Sequence, residues 1–204
     1  MNELALQLRA KILRSPRDWV FCATDFTDLG AKREISLALR RLARAGEVRV
    51  LDKGLYDRPN WNAEVPAFGS PNPDELAAAL ARRDGFQVLV HGARAAHLLG
   101  LSSYRPNKFI YLIDKGRSRI VEIKGTRLVF RRGPRGRMAW AGRPSGVILQ
   151  ALVWLGERKV APAQHELSVH LRRSLSDRAK RDLLKGIEAV PPWLQPILDE
   201  AAEP

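Results

Sequence analysis

Residues 32–59 read KREISLALRRLARAGEVRVLDKGLYDRP, and this stretch decides the fold of the first part of the chain. Residues 32–45 are rich in helix-forming side chains and contain no glycine or proline, which predicts one long helix that ends at Gly46. Two short runs with apolar residues follow, 48–51 and 55–57, on either side of a Lys53-Gly54 corner. This pattern predicts a β-hairpin directly after the helix.

The predicted helix 32–45 has two different faces. At about 100° per residue, the apolar side chains within about 60° of the stripe centre are Ile35, Ala38, Leu39 and Leu42. The opposite face carries Arg33, Ser36, Leu37, Arg40 and Arg44. A helix that lies in the major groove of DNA requires this division into a buried stripe and a basic face. A solvated basic face without a partner is the other interpretation of the pattern.

The segments before this helix complete a known order of elements. Leu4, Leu8 and Ile12 recur at helical spacing, which predicts a helix over residues 3–14 that Ser15-Pro16 ends. The apolar run 19–23 predicts a short strand, and a short helix follows it, ending at Gly30. Helix, strand, short helix, long helix and hairpin is the order of a winged helix-turn-helix, which we assign to residues 1–60.

Candidate DNA contacts in this domain divide into three groups. The first turns of a recognition helix reach base edges first, so base contacts are assigned to Lys32, Arg33, Ser36 and Leu37. Phosphate contacts, which position the protein without reading sequence, are assigned to Arg40, Arg41 and Arg44. In the hairpin, contacts to the DNA backbone or minor groove are assigned to Arg49, Lys53 and Arg58.

The remainder of the chain predicts a second, larger domain. Residues 61–72 contain proline, glycine and asparagine and are interpreted as a linker, so the second domain spans residues 73–204. A helix is predicted from Asn72 or Asp74 to Gly85, and apolar runs predict strands over 86–90, 108–114, 118–124 and 126–132. The last part of the chain predicts helices. The fold class is therefore α+β: a winged helix followed by a mixed α/β domain with an antiparallel sheet and C-terminal helices.

Residues 145–156, SGVILQALVWLG, form the most apolar segment of this domain. The segment predicts a buried helix, because apolar side chains occur on all of its faces. Leu149, Leu152, Val153 and Leu155 are assigned to the core, and Trp154 is expected to pack there as well.

The charge of the chain indicates a polyanionic partner. Its 204 residues carry a net charge of +13, and a charge of this size favours nucleic acid over a neutral ligand. Between Arg105 and Arg137 there are eleven basic residues against Asp114 and Glu122. From this block, phosphate contacts are assigned to Arg117, Arg119, Arg131, Arg132, Arg135 and Arg137. A solvated basic surface is the alternative interpretation.

The sequence excludes several classes of protein. No apolar run approaches the length of a membrane span, and the N-terminus lacks the apolar core and cleavage site of a secretion signal. The single Cys22 excludes an internal disulfide and a cysteine-based zinc cluster. We therefore expect a cytoplasmic protein with double-stranded DNA as partner and no membrane association.

The sequence contains no convincing catalytic or metal-binding motif. His91 and His97 are six residues apart and His165 and His170 five apart, whereas metal ligands on one helix face are three or four apart. No phosphate-binding GxxxxGK[ST] loop is present. Asp114, Glu122 and Lys124 on neighbouring predicted strands weakly resemble a nuclease core, although a salt-bridged sheet face explains them better. We expect no enzyme activity, no metal and no cofactor; a nuclease-like enzyme docked by the winged helix is the alternative.

The run DWVFCATDFTDLGAKREISLALRRLARAGEVRVLDKGLYDRP resembles the N-terminal winged-helix domain of AbiEi-family antitoxins. Three later segments, LVHGARAAHLLGLS, FIYLIDKG and GRPSGVILQALVWLG, are also similar to that family, so the resemblance covers roughly residues 15–160. The helix-and-hairpin motif alone is moderately specific, since many repressors share it. Its combination with the later segments is more specific.

The resemblance implies a transcriptional autorepressor that acts as the antitoxin of a type IV toxin–antitoxin system. It implies that the winged helix binds inverted repeats of operator DNA, as a monomer or as a pair assembled on the DNA, and that the second domain serves antitoxicity. The implied partner is a nucleotidyltransferase-like toxin with which no stable complex forms. A repressor without a toxin, and a binding module whose second domain holds another protein, are the remaining alternatives.

Overall fold

A computed structural model describes residues 3–58, 69–183, 185 and 190–203 of the chain. The fold is mixed α+β, with helices following the strands in the C-terminal part. Two units are distinguished: Met1–Phe86 with Ile120–Leu128, and Gln87–Arg119 with Val129–Pro204.

The first unit begins with helices α1 (Glu3–Arg14) and α2 (Lys32–Arg44), with strand β1 (Val20–Phe21) and a 3-10 helix (Ala23–Phe26) between them. Strands β2 (Arg49–Asp52) and β3 (Leu55–Asp57) follow as an antiparallel hairpin. β3 also pairs antiparallel with β1, so the sheet order is β1-β3-β2. The predicted helices 3–14 and 32–45 and the predicted hairpin are confirmed.

One apolar cluster holds these elements together. The predicted stripe of α2 is buried in it, with Ile35 and Leu39 fully inaccessible to solvent. Leu8 of α1 packs in the same cluster, as do Phe21 and Phe26, whose rings meet edge to face at 5.7 Å. A helix with a single apolar stripe buries that stripe and leaves the opposite face to solvent, which fixes the outward direction of the basic side chains of α2.

Two glycines set the geometry of the hairpin. Gly46 adopts a φ of 73° after the last turn of α2, and the amide of Glu47 donates to the Leu42 carbonyl at 3.0 Å. Gly54 adopts a φ of 72° at the hairpin corner. Both values lie in the left-handed region that glycine adopts without steric cost. The helix therefore ends abruptly and β2 turns back beside it.

Helix α3 (Pro73–Asp84) belongs to the first unit. Asn72 caps the helix by accepting from the Asp74 amide at 2.9 Å, and Arg82 is paired with Asp25 at 2.6 Å and donates to the Val20 carbonyl at 2.8 Å. The first unit thus extends beyond the domain boundary expected from sequence, because ion pairs fasten α3 to the preceding elements. Of the predicted linker 61–72, residues 61–68 lie outside the described residues.

Strand β4 (Val88–Val90), helix α4 (Gly92–Leu98) and strands β5 (Phe109–Ile113), β6 (Arg119–Ile123) and β7 (Thr126–Arg132) follow. The strands form a sheet of order β4-β5-β7-β6, in which β4 pairs antiparallel with β5. The predicted strands are present, but consecutive strands β5 and β6 are not neighbours. Residues 115–117, which contain a glycine, therefore connect two strands that are not paired with each other. The end of β7 lies beside the end of β5, where the Gly133 amide donates to the Ile113 carbonyl.

The C-terminal part is helical. Its helices are α5 (Arg135–Met138), α6 (Gly146–Leu155), α7 (Glu157–Val160), α8 (Gln164–Ser174), α9 (Asp177–Leu183) and α10 (Gln195–Ala202). Leu149 and Leu152 of α6 are buried in the core of this part, as predicted. Trp154 differs from the prediction: 38% of its surface is exposed.

Candidate nucleic-acid interface

An open groove of about 1160 Å³ lies between α2 and the β2–β3 hairpin. Helix α2 contributes one wall, made of Lys32, Ser36, Arg40, Ala43 and Arg44. The hairpin contributes Val50, Asp52 and Lys53, and the C-terminal end of α3 adds Arg83 and Asp84. Five cationic side chains and two carboxylates therefore line the groove, which gives it an excess of positive charge.

The predicted DNA-contacting residues of α2 lie on its solvent face. All six of its large candidates are exposed, namely Lys32, Arg33, Leu37, Arg40, Arg41 and Arg44. Ser36 is half-buried and its hydroxyl donates to the Lys32 carbonyl at 2.7 Å. Side chains four residues apart share one strip of a helix, so Lys32, Ser36, Arg40 and Arg44 face the groove while Arg33, Leu37 and Arg41 form the adjoining strip.

The three predicted hairpin contacts have different environments. Lys53 is exposed at the corner and lines the groove. Arg49 instead forms a two-point ion pair with Asp57 on the neighbouring strand, with Nε–Oδ1 at 2.8 Å and Nη2–Oδ2 at 2.5 Å. Arg58 donates to the Leu13 carbonyl of α1 at 3.1 Å. The guanidinium groups of Arg49 and Arg58 hold the fold together, which argues against the DNA contacts assigned to them.

Arg83 is a residue of the groove that sequence analysis missed. It donates to the Asp52 carboxylate at 3.0 Å and to the Lys53 carbonyl at 2.9 Å, and it pairs with Asp84 at 2.6 Å. Although burial opposes the shift, the hydrogen bond and charge of Arg83 lower the pKa of Asp52. The Asp52 and Asp84 carboxylates of the groove are both paired with this one guanidinium. No local pattern in α3 signals this role, because the partner in the hairpin is about 30 residues away in sequence.

Cys22 forms part of the groove floor but is unsuited to nucleophilic chemistry. The side chain is 1% exposed, and burial raises the pKa of its thiol. A thiol with a raised pKa stays protonated near neutral pH, and the protonated form is a poor nucleophile. Cys22 is therefore a packing residue.

The predicted phosphate contacts of the second unit are mostly exposed. Solvent reaches Arg117, Arg131, Arg132, Arg135 and Arg137. Arg119 is half-buried, with its guanidinium carbon 4.9 Å from the centre of the Phe130 ring. Cation–π attraction to an aromatic face holds a guanidinium in place.

Two of the histidines that the sequence offers as metal ligands, and one acid of the nuclease-like set, have local partners. His165 pairs with Glu200 at 2.6 Å, His170 donates to the Leu99 carbonyl at 2.8 Å, and Asp114 accepts from the Gln87 amide at 2.6 Å. Within residues 3–58, 69–183, 185 and 190–203, no three His, Cys, Asp or Glu side chains are grouped as ligands for a metal ion. In the same part of the chain, every helix is too short or too polar to span a bilayer.

The crystal structure of the RV2827C protein from Mycobacterium tuberculosis aligns with 100% of this chain and 79% of that chain, at 21% sequence identity and a TM-score of 0.36. No curated protein matches. Residues 7–180 match a family that is described as a family of unknown function, DUF6088. Because this match covers most of the chain, the protein belongs to the DUF6088 family.

Proposed function

We propose that the chain is a sequence-specific DNA-binding protein that represses transcription from its own promoter. In this proposal residues 3–58 form a winged helix-turn-helix, with α2 as recognition helix and the β2–β3 hairpin as wing. The observation that carries the proposal is the cationic groove between α2 and the hairpin. A groove lined by lysine and arginine next to an exposed helix suits a DNA strand, because phosphates occur at regular intervals along it.

The order of elements supports the same proposal. An antiparallel sheet of order β1-β3-β2 leaves β2, the strand that follows α2, at one edge. A helix can enter the major groove while the hairpin beside it contacts the adjacent backbone or minor groove. Gly46 ends α2 and allows this abrupt return of the chain.

Two strips of α2 take different roles in this proposal. The strip that faces the groove, with Lys32, Arg40 and Arg44, contacts phosphates and fixes the position of the helix. The adjoining strip, with Arg33 and Leu37, reads base edges. Leu37 is 45% exposed, and an exposed leucine beside arginines is suited to a thymine methyl group, as arginine is to guanine.

The second unit contributes phosphate contacts in this proposal. Its exposed arginines at the end of β7 and in α5, namely Arg131, Arg132, Arg135 and Arg137, carry no sequence-reading role. Each contact to a phosphate releases condensed counterions and makes affinity dependent on salt. Substituting these arginines is expected to weaken binding to all duplexes by similar factors.

The regulatory part of the proposal rests on the resemblance to AbiEi-family antitoxins. It makes the protein the antitoxin of a type IV system, acting without a stable complex with a nucleotidyltransferase-like toxin. A reporter gene fused to the DNA upstream of the reading frame tests autorepression. Co-expression tests antitoxicity. Cells that express a nucleotidyltransferase-like protein encoded in the same operon should regain growth when they also express this chain. If the reporter is repressed but growth is not restored, the protein is a repressor without this antitoxin activity.

Fluorescence anisotropy with labelled duplexes tests DNA binding directly. Selection from a random duplex library should enrich an inverted repeat, and affinity for it should fall steeply as salt increases. Replacing Lys32, Arg40 and Arg44 with glutamine should weaken binding to every duplex and reduce the slope of log affinity against log salt by about one for each lost contact. Arg14→Gln, which replaces an exposed arginine of α1, is the control for the loss of a single charge away from the groove.

Two results would overturn the proposal. One is the absence of any enriched sequence together with no duplex binding at low salt. The other is unchanged affinity in the triple glutamine variant, provided that its melting temperature matches that of the unmodified protein. Because the three side chains are exposed, their replacement should leave folding intact.

A further inference from the structure

A separate pocket of about 270 Å³ lies in the second unit, beside the first turn of α4. Five of its lining side chains are aromatic or basic: His91, Arg94, Tyr104, Lys108 and Trp154. None of the described residues that line it is acidic. The lining therefore combines ring surfaces with positive charge and contains no group that repels an anion.

The aromatic wall of the pocket is formed by two stacked side chains. The rings of Tyr104 and Trp154 lie 6.2 Å apart at an angle of 21°. Tyr104 is 55% exposed and Trp154 38% exposed, although Trp154 belongs to the otherwise largely buried helix α6. Burying these rings would be favourable by about 25 cal/mol for each Å² removed from water. Their exposed faces are therefore a surface on which a planar group can stack.

Close helix packing holds Trp154 in this position. A Cβ atom added to Gly92 would lie 2.4 Å from the Trp154 Cβ and 2.5 Å from the Gln150 carbonyl oxygen. Only a glycine permits this approach of α4 to α6, which places Trp154 beside the start of α4. The packing of α4 on α6 thus holds Trp154, while Tyr104 stacks on it from the segment between α4 and β5.

The polar groups of the pocket suit an anion and a hydrogen-bond acceptor. The Arg94 guanidinium carbon lies 5.0 Å from the Phe109 ring centre, which holds its charge at the pocket, and Lys108 is exposed at the rim. His91 Nδ1 accepts from the Ala93 amide at 3.3 Å, so its proton is on Nε2. Burial, followed by the charges of Arg131 and Arg137, lowers the pKa of His91 and keeps the ring neutral.

We propose that this pocket binds a nucleotide, with the base stacked on the Tyr104–Trp154 pair and the phosphate paired with Arg94 and Lys108. Base stacking on aromatic side chains and phosphate pairing with nearby cations are the two contacts by which proteins hold unpaired nucleotides. Two sources share this chemistry: a free mononucleotide and an unpaired nucleotide within a strand. The inference does not depend on duplex recognition by α2, since every residue involved belongs to the second unit.

Calorimetric titration of the full chain with the four ribonucleoside 5′-monophosphates, and separately with a short oligothymidylate, tests the proposal. Saturable binding of a mononucleotide indicates a small-molecule site, and binding of the oligothymidylate alone indicates an unpaired nucleotide of a strand. Trp154→Ala should lower the affinity about tenfold, and Lys108→Gln should lower it in a salt-dependent manner. Arg173→Gln, an exposed arginine of α8, is the control and should leave affinity unchanged.

Substitution of Tyr104 provides a second test, in which a folding defect is not expected to affect the result. Tyr104→Ala removes a side chain that is already 55% exposed, so the protein should fold normally and still lose nucleotide affinity. Tyr104→Phe keeps the ring and should retain binding. The proposal is overturned if no probe binds at millimolar concentration, or if folded Tyr104→Ala and Trp154→Ala proteins bind as the unmodified protein does. Duplex binding measured on the same variants separates this result from the test of the winged helix.

Discussion

Arg83 at the end of α3 donates through Nη1 to the Asp52 carboxylate at 3.0 Å and to the Lys53 carbonyl at 2.9 Å. A side chain outside the hairpin therefore fastens the hairpin corner in place. The hydrogen bond from Arg83 to Asp84 is the main reason that the pKa of Arg83 is raised, so the guanidinium remains charged. The position of the proposed wing thus depends on α3 as well as on the strands themselves.

Arg83→Gln should loosen the hairpin corner and weaken duplex binding. The substitution removes the fixed geometry of residues 52–53 and leaves the carboxylates of Asp52 and Asp84 uncompensated in the groove. Global stability should fall by about 1 kcal/mol, because these ion pairs are only partly exposed to solvent. Hydrogen exchange of the hairpin amides, with anisotropy on a duplex, measures both effects.

Arg83→Lys separates charge from geometry in the same experiment. Lysine keeps the positive charge but lacks the planar fork that reaches two acceptors at once. Faster exchange at the hairpin with nearly unchanged DNA affinity would show that compensation of the carboxylates is what matters. Equal losses for Gln and Lys would show that the fixed corner matters, and unchanged exchange in both would contradict the role of Arg83.

Arg49→Ala should affect folding rather than DNA recognition. The Arg49 and Asp57 side chains are only 14% and 8% exposed and form two hydrogen bonds with each other. Removing one partner leaves a largely buried charge without compensation, which costs about 3 kcal/mol of unfolding free energy. Urea unfolding followed by circular dichroism measures this loss.

Two comparisons complete the Arg49 test. Asp57→Asn should be similarly destabilised, whereas Lys53→Ala, at the exposed corner of the same hairpin, should leave stability nearly unchanged. If Arg49→Ala unfolds at the same urea concentration as the unmodified protein and instead loses duplex affinity, Arg49 is a DNA contact after all.

The buried stripe of α2 could be predicted from sequence because it depends on a single helix packed on one side. Ile35, Ala38, Leu39 and Leu42 repeat at helical spacing, and that spacing alone determines which face is covered. The role of Arg49 could not be predicted in this way. The register of β2 on β3 determines that Asp57 lies opposite Arg49, and this register is irregular between Val50 and Asp52. A basic residue in a hairpin has the same sequence pattern whether it faces DNA or a carboxylate.

Strand pairing and helix packing between distant parts of the chain could not be predicted from the sequence either. Three apolar runs predict β5, β6 and β7, but the pairing of β5 with β7 depends on contacts between residues distant in the chain. Trp154 was expected in the core because α6 is apolar on every side. Its Cβ lies against Gly92 of α4, and a glycine at the start of a helix carries no periodic signal.

Asp182 should make the second unit sensitive to acid. Burial opposes the shift, yet hydrogen bonds from the Ser145 amide at 3.1 Å, from its hydroxyl and from Arg143 lower the pKa of Asp182 overall. A carboxyl with a depressed folded-state pKa stabilises the fold above its unfolded pKa of about 3.9, and this contribution disappears as the pH falls through the folded-state value. Asp182→Asn should therefore be less stable by about 1–3 kcal/mol near neutral pH.

Thermal unfolding of both proteins across the acid range measures this difference. The gap in unfolding free energy should be constant from neutral pH down to about pH 5 and should shrink below about pH 4, as the unmodified carboxyl takes up a proton. A gap that stays constant to the lowest pH would show that Asp182 contributes through packing and not through its charge. Asp199→Asn, which replaces an exposed aspartate of α10, is the control for the loss of one carboxylate.

Gly92→Ala should separate α4 from α6 and disturb the position of Trp154. The new methyl group would lie 2.4 Å from the Trp154 Cβ and 2.5 Å from a backbone oxygen, so no side-chain rotation relieves the clash. Overpacking of this kind costs about 1–3 kcal/mol. The matched control is Gly136→Ala in α5, where an added Cβ meets no atom within 4 Å and the backbone conformation suits alanine.

Differential scanning calorimetry should show a lower melting temperature for Gly92→Ala and an equal or higher one for Gly136→Ala. Equal melting temperatures for both variants would mean that α4 and α6 are not as closely packed as the structure shows.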